Sequence, residues 1–375
     1  MASSKQFNVG VVGYGMSAKI FHIPFIKATP LLKLRSILQR SPKPGDSAPA
    51  DYPDLQHHTA LDSLLADPEL DVVVLCTTPP THFAFATAAL EAGKHVCCEK
   101  PFVPTSAEAA QLAALASKQG KLLCVYQNRR YDADFATVSQ LIKDGILGRV
   151  VEFETHFDRY KMEHPTNWKG TMPMEQGGGA VYDLGTHLVD QVYTLFGMPE
   201  SVYAKFVSQR QGKFYPGSTA DGGAVDPDSL TAHLYYPDTG LTAIVRIGVL
   251  SVETQQPRFW IRGSKGSYTK KGLDTQEPQL KGGMTTSDAK FGREGPEWAG
   301  KLAILGEGGA VSQRDLPNVE PPPTYAKIYE SFARALASGK EEDVPVPASQ
   351  ARDVLKIIEA VQESGKTGRE VPISS

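Results

Sequence analysis

Lys100 stands just past an apolar run, residues 94–98, in the order Glu99-Lys100-Pro101. A lysine at the carboxyl end of a buried strand points an ammonium into the crevice that the strand end borders. There it can stabilise an oxygen that gains negative charge. Asp183 and His187 are four apart in a segment, 179–196, that reads as a helix, so they share one face. Gly177, Gly178 and Gly179 form its entry and let the backbone come close to something. Oxidising a secondary alcohol needs a base for the hydroxyl proton as hydride leaves carbon, and a cation for the developing oxyanion. His187 suits the first role and Lys100 the second, while Asp183 can orient and charge-balance both. The sequence leaves open which group takes the proton. Plainer readings compete: Lys100 as an ordinary lysine paired with Glu99, and His187 as a satisfied core histidine. An Asp–His pair at this spacing is also half of a metal site, but no third ligand follows at a suitable spacing, so no metal is expected.

A second constellation concerns phosphate. Gly13-Tyr14-Gly15-Met16-Ser17-Ala18 follows the β-branched run 7–12 directly and opens into a helix-like segment. This is the G-x-G-x-x-A form of the dinucleotide fingerprint. Gly13 permits the tight turn, Gly15 leaves room for a pyrophosphate, and Ala18 allows close packing of helix on strand. The helix N-terminus offers N–H groups to the phosphates. Pro24 predicts a break or a new first turn in that helix. The next strand ends in Gln39-Arg40-Ser41, without the carboxylate that would grip the adenosine ribose of NAD. Arg40 and Ser41 suit a 2′-phosphate, which predicts NADP, with NAD as the other possibility. The competing reading of Arg40 is a solvated loop charge. Thr77, Thr78, Pro79 and His82 lie where a loop would cover the nucleotide; a proline-stiffened turn capped at Thr81 explains them nearly as well.

These groups need a frame. Apolar runs at 7–12, 31–38, 71–77, 94–98 and 121–126 alternate with helix-like segments at 60–67, 82–93 and 105–120. That alternation argues for βαβ units and a parallel, doubly wound sheet, with its ligand crevice at the carboxyl strand ends. Beyond about residue 127 the pattern changes. Stretches at 149–159, 229–236, 241–250 and 257–262 alternate apolar and polar, as an antiparallel meander with one wet face does. A proline-rich linker, 317–323, leads to two amphipathic helices, 324–338 and 347–364.

The chain has 375 residues, 41% hydrophobic and 22% charged, with a net charge of -3. Such a length calls for more than one domain. No basic excess exists to neutralise phosphates, so no nucleic-acid partner is expected. No run approaches the ~20 apolar residues of a membrane span, and the N-terminal residues lack a secretion signal. Cys76, Cys97, Cys98 and Cys124 all fall in apolar stretches without C-x-x-C spacing, as buried reduced thiols do. A cytoplasmic protein is expected.

Gly13 to Ala18, Cys98-Glu99-Lys100-Pro101-Phe102 and the run from Gly178 to Gln191 together resemble the Gfo/Idh/MocA family, that of glucose–fructose oxidoreductase, inositol dehydrogenase and the rhizopine-catabolism proteins. Within it, Tyr126-Gln127-Asn128-Arg129-Arg130 and the Ser-containing second-strand end are similar to bacterial NADP-dependent scyllo-inositol dehydrogenases. The resemblance implies an α/β protein: a Rossmann domain over 1–126, an α/β domain with a large open, mainly antiparallel sheet over 127–323, and closing helices over 324–375 that pack back on the Rossmann domain. It implies hydride transfer on a polyol, inositol or sugar, with Lys100, Asp183 and His187 as the catalytic set and a cis peptide before Pro101. It adds Glu99 and Asn128 to the cofactor site, and Arg129, Arg159, Tyr160 and Trp168 as candidate substrate contacts. It also implies a homodimer or homotetramer formed through the sheet. Two rivals on the same fold are a dinucleotide-binding regulator without turnover, and a glycosidase that uses NAD for transient oxidation.

Overall fold

A computed structural model describes residues 6–217 and 225–373. The chain forms two compact units. The first comprises the chain up to Tyr131 with Gln276–Phe291 and Pro323–Arg352; the second comprises Asp132–Thr275, Gly292–Pro322 and the chain from Asp353.

In the first unit, strands β1 (Phe7–Val12), β2 (Leu32–Leu38), β3 (Gln56–His58), β4 (Val72–Leu75), β5 (His95–Cys98) and β6 (Leu123–Val125) form one sheet in the order β3-β2-β1-β4-β5-β6. Every pairing is parallel. The order reverses between β1 and β4, which puts a topological switch point beside the glycine loop. β4 and the last three residues of β5 are fully buried, as a sheet covered on both faces requires. The helix Ser106–Lys118 starts where Thr105 accepts a hydrogen bond from the Glu108 N–H at 3.2 Å. The segment after the glycine loop begins as a wide turn, Ala18–His22, and becomes α-helical at Ile23–Ala28 with Pro24 in its first turn. Pro24 thus sits where its missing N–H leaves no bond unmade. The helix Ala326–Ser338 closes this unit. Tyr325, Tyr329 and Phe332 are buried, Tyr325 against Phe21 and Phe25, and Tyr329 against His22 and Tyr126. The Val125 N–H donates to Val346 at 2.9 Å.

The second unit is built on a larger sheet: β7 (Val150–Asp158), β8 (Ser201–Ser208), β9 (Lys213–Tyr215), β10 (Ser229–Tyr236), β11 (Leu241–Gly248), β12 (Pro257–Gly263), β13 (Gly266–Lys271), β14 (Gly300–Leu305), β15 (Val311–Leu316) and β16 (Val371–Pro372). The order is β15-β14-β13-β12-β7-β11-β10-β8-β16, with β9 on β8. β7 and β11 pair in parallel; the other pairings are antiparallel. The sheet is therefore mixed, and it is longer than the alternating stretches predicted. Leu230, Ala232 and Leu234 of β10 and Ala243, Val245 and Ile247 of β11 are buried on one face. On the same face Phe153 of β7 meets Phe196, the last residue of the helix Thr186–Phe196. The opposite face carries half-exposed Tyr203, Tyr235 and Trp260.

Fully buried Arg258 on β12 locks the helix to the sheet. Its guanidinium donates to Asp134 at 2.8 Å, Thr155 at 3.0 Å and Gln191 at 2.9 Å. Gln191 lies one turn beyond His187 on the same helix. Among the described residues no helix is long and apolar enough to cross a membrane.

Candidate active site

In the first unit the candidate groups follow the carboxyl ends of successive parallel strands. Gly13 continues β1 with φ +96°, and a Cβ there would stand 2.9 Å from the Cys76 carbonyl oxygen, so only glycine fits the turn. A Cβ on Gly15 would meet nothing within 4 Å. That open space above the loop fits a pyrophosphate, the group the G-x-G spacing prepares for. Ala18 is buried, Met16 is exposed, and Tyr14 is turned inward, donating its hydroxyl to Asp51 at 2.5 Å. Arg40 and Ser41 follow β2 as exposed residues, and Arg40 has no ion-pair partner among the described residues. Gln39 is buried and shapes this loop by bonding the Asp46 carbonyl at 2.8 Å and the Ala48 N–H at 2.7 Å.

After β4, Thr81 donates to the Thr77 hydroxyl at 2.6 Å, and Thr78 precedes the short turn Pro79–Thr81. His82 is fully buried. Its Nδ1 lies 2.9 Å from the carbonyls of Pro101 and Phe102, and its Nε2 3.0 Å from that of Thr77. The ring ties the loop after β4 to the loop after β5, where the Lys100–Pro101 peptide is cis. Burial pushes the His82 pKa down.

Glu99 and Lys100 follow β5. The Glu99 carboxylate accepts from the Ser17 hydroxyl of the glycine loop, from the Lys100 N–H at 2.8 Å, and bonds His22 Nε2 at 2.9 Å. His22 Nδ1 in turn meets the Tyr329 hydroxyl at 2.5 Å. Burial alone would raise the Glu99 pKa. The His22 hydrogen bond and charge, the Lys100 ammonium and the Ser17 hydrogen bond outweigh it and carry the group down to about 2. Glu99 is thus a buried, ionised hub between the glycine loop and Lys100. Asn128 and Arg129 follow β6 and are buried; Arg129 pairs with Glu277 at 2.6 Å. Burial raises the Glu277 pKa, but Arg129, Lys281 and Lys100 together hold it below the usual range.

In the second unit the predicted helix 179–196 begins as a wide turn, Val181–Gly185, that carries Asp183, and becomes α-helical at Thr186, just before His187. Both side chains are buried, at 3% and 5% exposure, and the His187 ring stacks over Phe157 of β7 with centroids 6.5 Å apart. Asp183 lines a charged pocket with Lys169 and Arg159. The Lys169 ammonium pairs with Asp183 at 2.7 Å. Arg210 pairs with Asp228 at 2.9 Å and His164 with Asp226 at 2.8 Å along the same walls. Tyr160 is exposed and Trp168 half-buried, the latter with its ring 5.5 Å from the Lys169 nitrogen; neither lines the pocket, nor does His187.

Sequence reasoning missed Lys169, Glu277 and the His22–Tyr329 chain. Only Lys169 left a trace, as the neighbour of Trp168. Among the described residues no group of three or more His, Cys, Asp or Glu could hold a metal ion. The four cysteines are free thiols.

A glycine turn at the switch point of a parallel sheet, with a lysine just past the end of β5, defines a dinucleotide-binding α/β protein. Residues 7–127 match the NAD-binding Rossmann fold of the Gfo/Idh/MocA oxidoreductase family, and residues 139–373 match its C-terminal alpha/beta domain. The chain belongs to that oxidoreductase family. It is 39% identical over 373 residues to an uncharacterised oxidoreductase of Schizosaccharomyces pombe, covering 97% of this chain and 98% of the relative. It is 32% identical over 366 residues to IolW, the scyllo-inositol 2-dehydrogenase (NADP(+)) of Bacillus subtilis, covering 97% and 95%. Among solved structures, the oxidoreductase YvaA of Bacillus subtilis superposes with a TM-score of 0.89 at 31% identity, covering 99% of each chain.

Proposed function

We propose that the chain is an NADP-dependent dehydrogenase that interconverts a secondary alcohol and a ketone on a polyol, inositol or sugar, with Lys100, Asp183 and His187 at the reacting centre. The observation that carries this reading is the Glu99 carboxylate. It takes both the Ser17 hydroxyl of the glycine loop and the backbone N–H of Lys100, so one buried anion registers the phosphate cradle against the backbone that carries Lys100. A bound nicotinamide supplies the hydride acceptor or donor. Lys100 then donates a hydrogen bond to the substrate oxygen as charge develops there, His187 takes or returns the hydroxyl proton, and Asp183 orients the hydroxyl. The segment Gly13 to Ala18 holds the pyrophosphate, with Thr77, Thr78, Pro79 and Asn128 beside it. His82 contributes by fixing the Thr77 and Pro101 backbones. Arg40, exposed and without an acidic partner among the described residues, supports the choice of NADP, as does the NADP-dependence in the name of one relative. Arg129, Arg159, Tyr160 and Trp168 are the further substrate contacts in this reading. We also propose a homodimer or homotetramer, to be read as two or four chain masses by sedimentation.

The test is turnover. Inositols, pentoses and hexoses are mixed with NADP or NAD and followed at the NADPH absorbance. Some polyol is expected to give NADPH, with a lower KM for NADP than for NAD. Lys100→Met should lower kcat at least ~100-fold, because the cation facing the oxygen is lost, and change nucleotide affinity less than ~3-fold. Tight nucleotide binding with no turnover on any polyol would instead favour the regulator.

A further inference from the structure

The pocket beside Asp183 holds a group that the chemistry above does not use. Lys169 comes from the short helix Trp168–Thr171, whose first turn is capped by the Asn167 side chain accepting from the Lys169 N–H at 3.1 Å. The loop around it has little freedom. A Cβ on Gly170 would stand 2.0 Å from the Pro165 carbonyl oxygen, and one on Gly178 2.0 Å from that of Met172, so both sites accept only glycine at this closeness. The loop therefore delivers the Lys169 ammonium to the Asp183 carboxylate at 2.7 Å in a built arrangement. The space next to the pair is open: a Cβ on Gly179, which lines the same pocket, would meet nothing within 4 Å.

An ammonium has three donors and no acceptor, while a carboxylate only accepts. Side by side, they complement a group that donates from one oxygen and accepts at the next. A vicinal diol does this. Its two oxygens in the gauche form stand about one hydrogen-bond length apart, as the two charged groups do. A ketone only accepts and leaves the carboxylate facing it unmatched, while an isolated alcohol must serve both charged groups from a single oxygen, which bends one or both hydrogen bonds. Resting on the reading of Asp183 as a group of the reacting centre, we propose that Lys169 and Asp183 together grip two adjacent hydroxyls of the substrate. Lys169 is then a specificity-determining residue that selects 1,2-diols over alcohols without a hydroxyl on the neighbouring carbons.

The experiment compares matched pairs whose second member has no vicinal diol: trans-1,2-cyclohexanediol with cyclohexanol, and cyclohexane-1,2,3-triol with cyclohexane-1,3-diol. The kcat and KM of the wild type, Lys169→Met and Lys169→Arg are measured with NADP. The wild type is expected to prefer the vicinal-diol member about 10- to 100-fold in kcat/KM, mostly through KM, as loss of a hydrogen bond to a charged group predicts. In K169M this preference should fall to within about 3-fold, and K169R should restore it. Such non-additivity marks direct coupling between side chain and hydroxyl. A merely structural lysine would lower both members of a pair equally, and that result overturns the proposal, as does an unchanged preference in K169M. If K169M does not fold, Lys169→Gln carries the same comparison. A wild type inactive on every pair and every polyol of the wider panel would instead remove the reading of the site on which this inference rests.

Discussion

Glu99 is the residue on which the first unit's site depends, and its ionisation makes a pH signature. Its folded pKa, about 2, lies below the ordinary 4.5. A carboxylate depressed in this way stabilises the fold fully above the unfolded value, and that stability is lost as pH falls through the folded value. The difference in Tm between wild type and Glu99→Gln should therefore be largest above about pH 4.5 and shrink as pH approaches 2. Thermal melts across that window measure it, and a difference that stays constant would mean Glu99 is not a buried anion. Lys100 needs no such argument to be found, since Glu99-Lys100-Pro101 after an apolar run announces itself. The partners that hold Glu99 do not: His22 and Tyr329 are 307 residues apart, and each is an unremarkable aromatic in its own segment.

At the scale of elements, the helix bearing His187 is held by a charge rather than by apolar contact alone. Arg258 has no solvent access, and it satisfies Asp134, Thr155 and Gln191 at once. Arg258→Ala strands a buried carboxylate and should cost roughly 3–5 kcal/mol, read by urea denaturation. Arg258→Lys should recover only part of this, for want of the planar fork. A loss below about 1 kcal/mol would show that water replaces the guanidinium. Five of the six parallel strands and the helices between them were legible because continuous apolar runs and alanine-rich segments carry distinct periods; β3, Gln56-His57-His58, has no apolar run and was not. β13, β14 and β15 were not, because sequences such as Lys270-Lys271 or Ser312-Gln313-Arg314 look like loop until a neighbouring strand supplies their hydrogen bonds. The parallel pairing of β7 with β11 was equally hidden, since alternation states which face is buried but not which way the partner runs. Lys169 escaped for a related reason: its place depends on a loop folded over Gly170 and Gly178, whose closeness no pattern encodes.

The whole molecule is assembled from a chain that passes between its two units five times. The first unit is complete only with Gln276–Phe291 and Pro323–Arg352, which supply Tyr325, Tyr329, Phe332 and the Val346 carbonyl that β6 uses. A fragment of residues 1–127 covers the entire Rossmann match yet lacks these groups. It should show weak near-ultraviolet dichroism and bind hydrophobic dyes, whereas cooperative unfolding of that fragment would contradict the three-segment construction. Synthesis runs in the opposite sense to this completion. The glycine loop leaves the ribosome well before the aromatic seal over Phe25 and Tyr126, which comes from residues 325–332. Until then the nascent chain carries an apolar surface that a holding chaperone would recognise, and nucleotide capture becomes a late event in the protein's life.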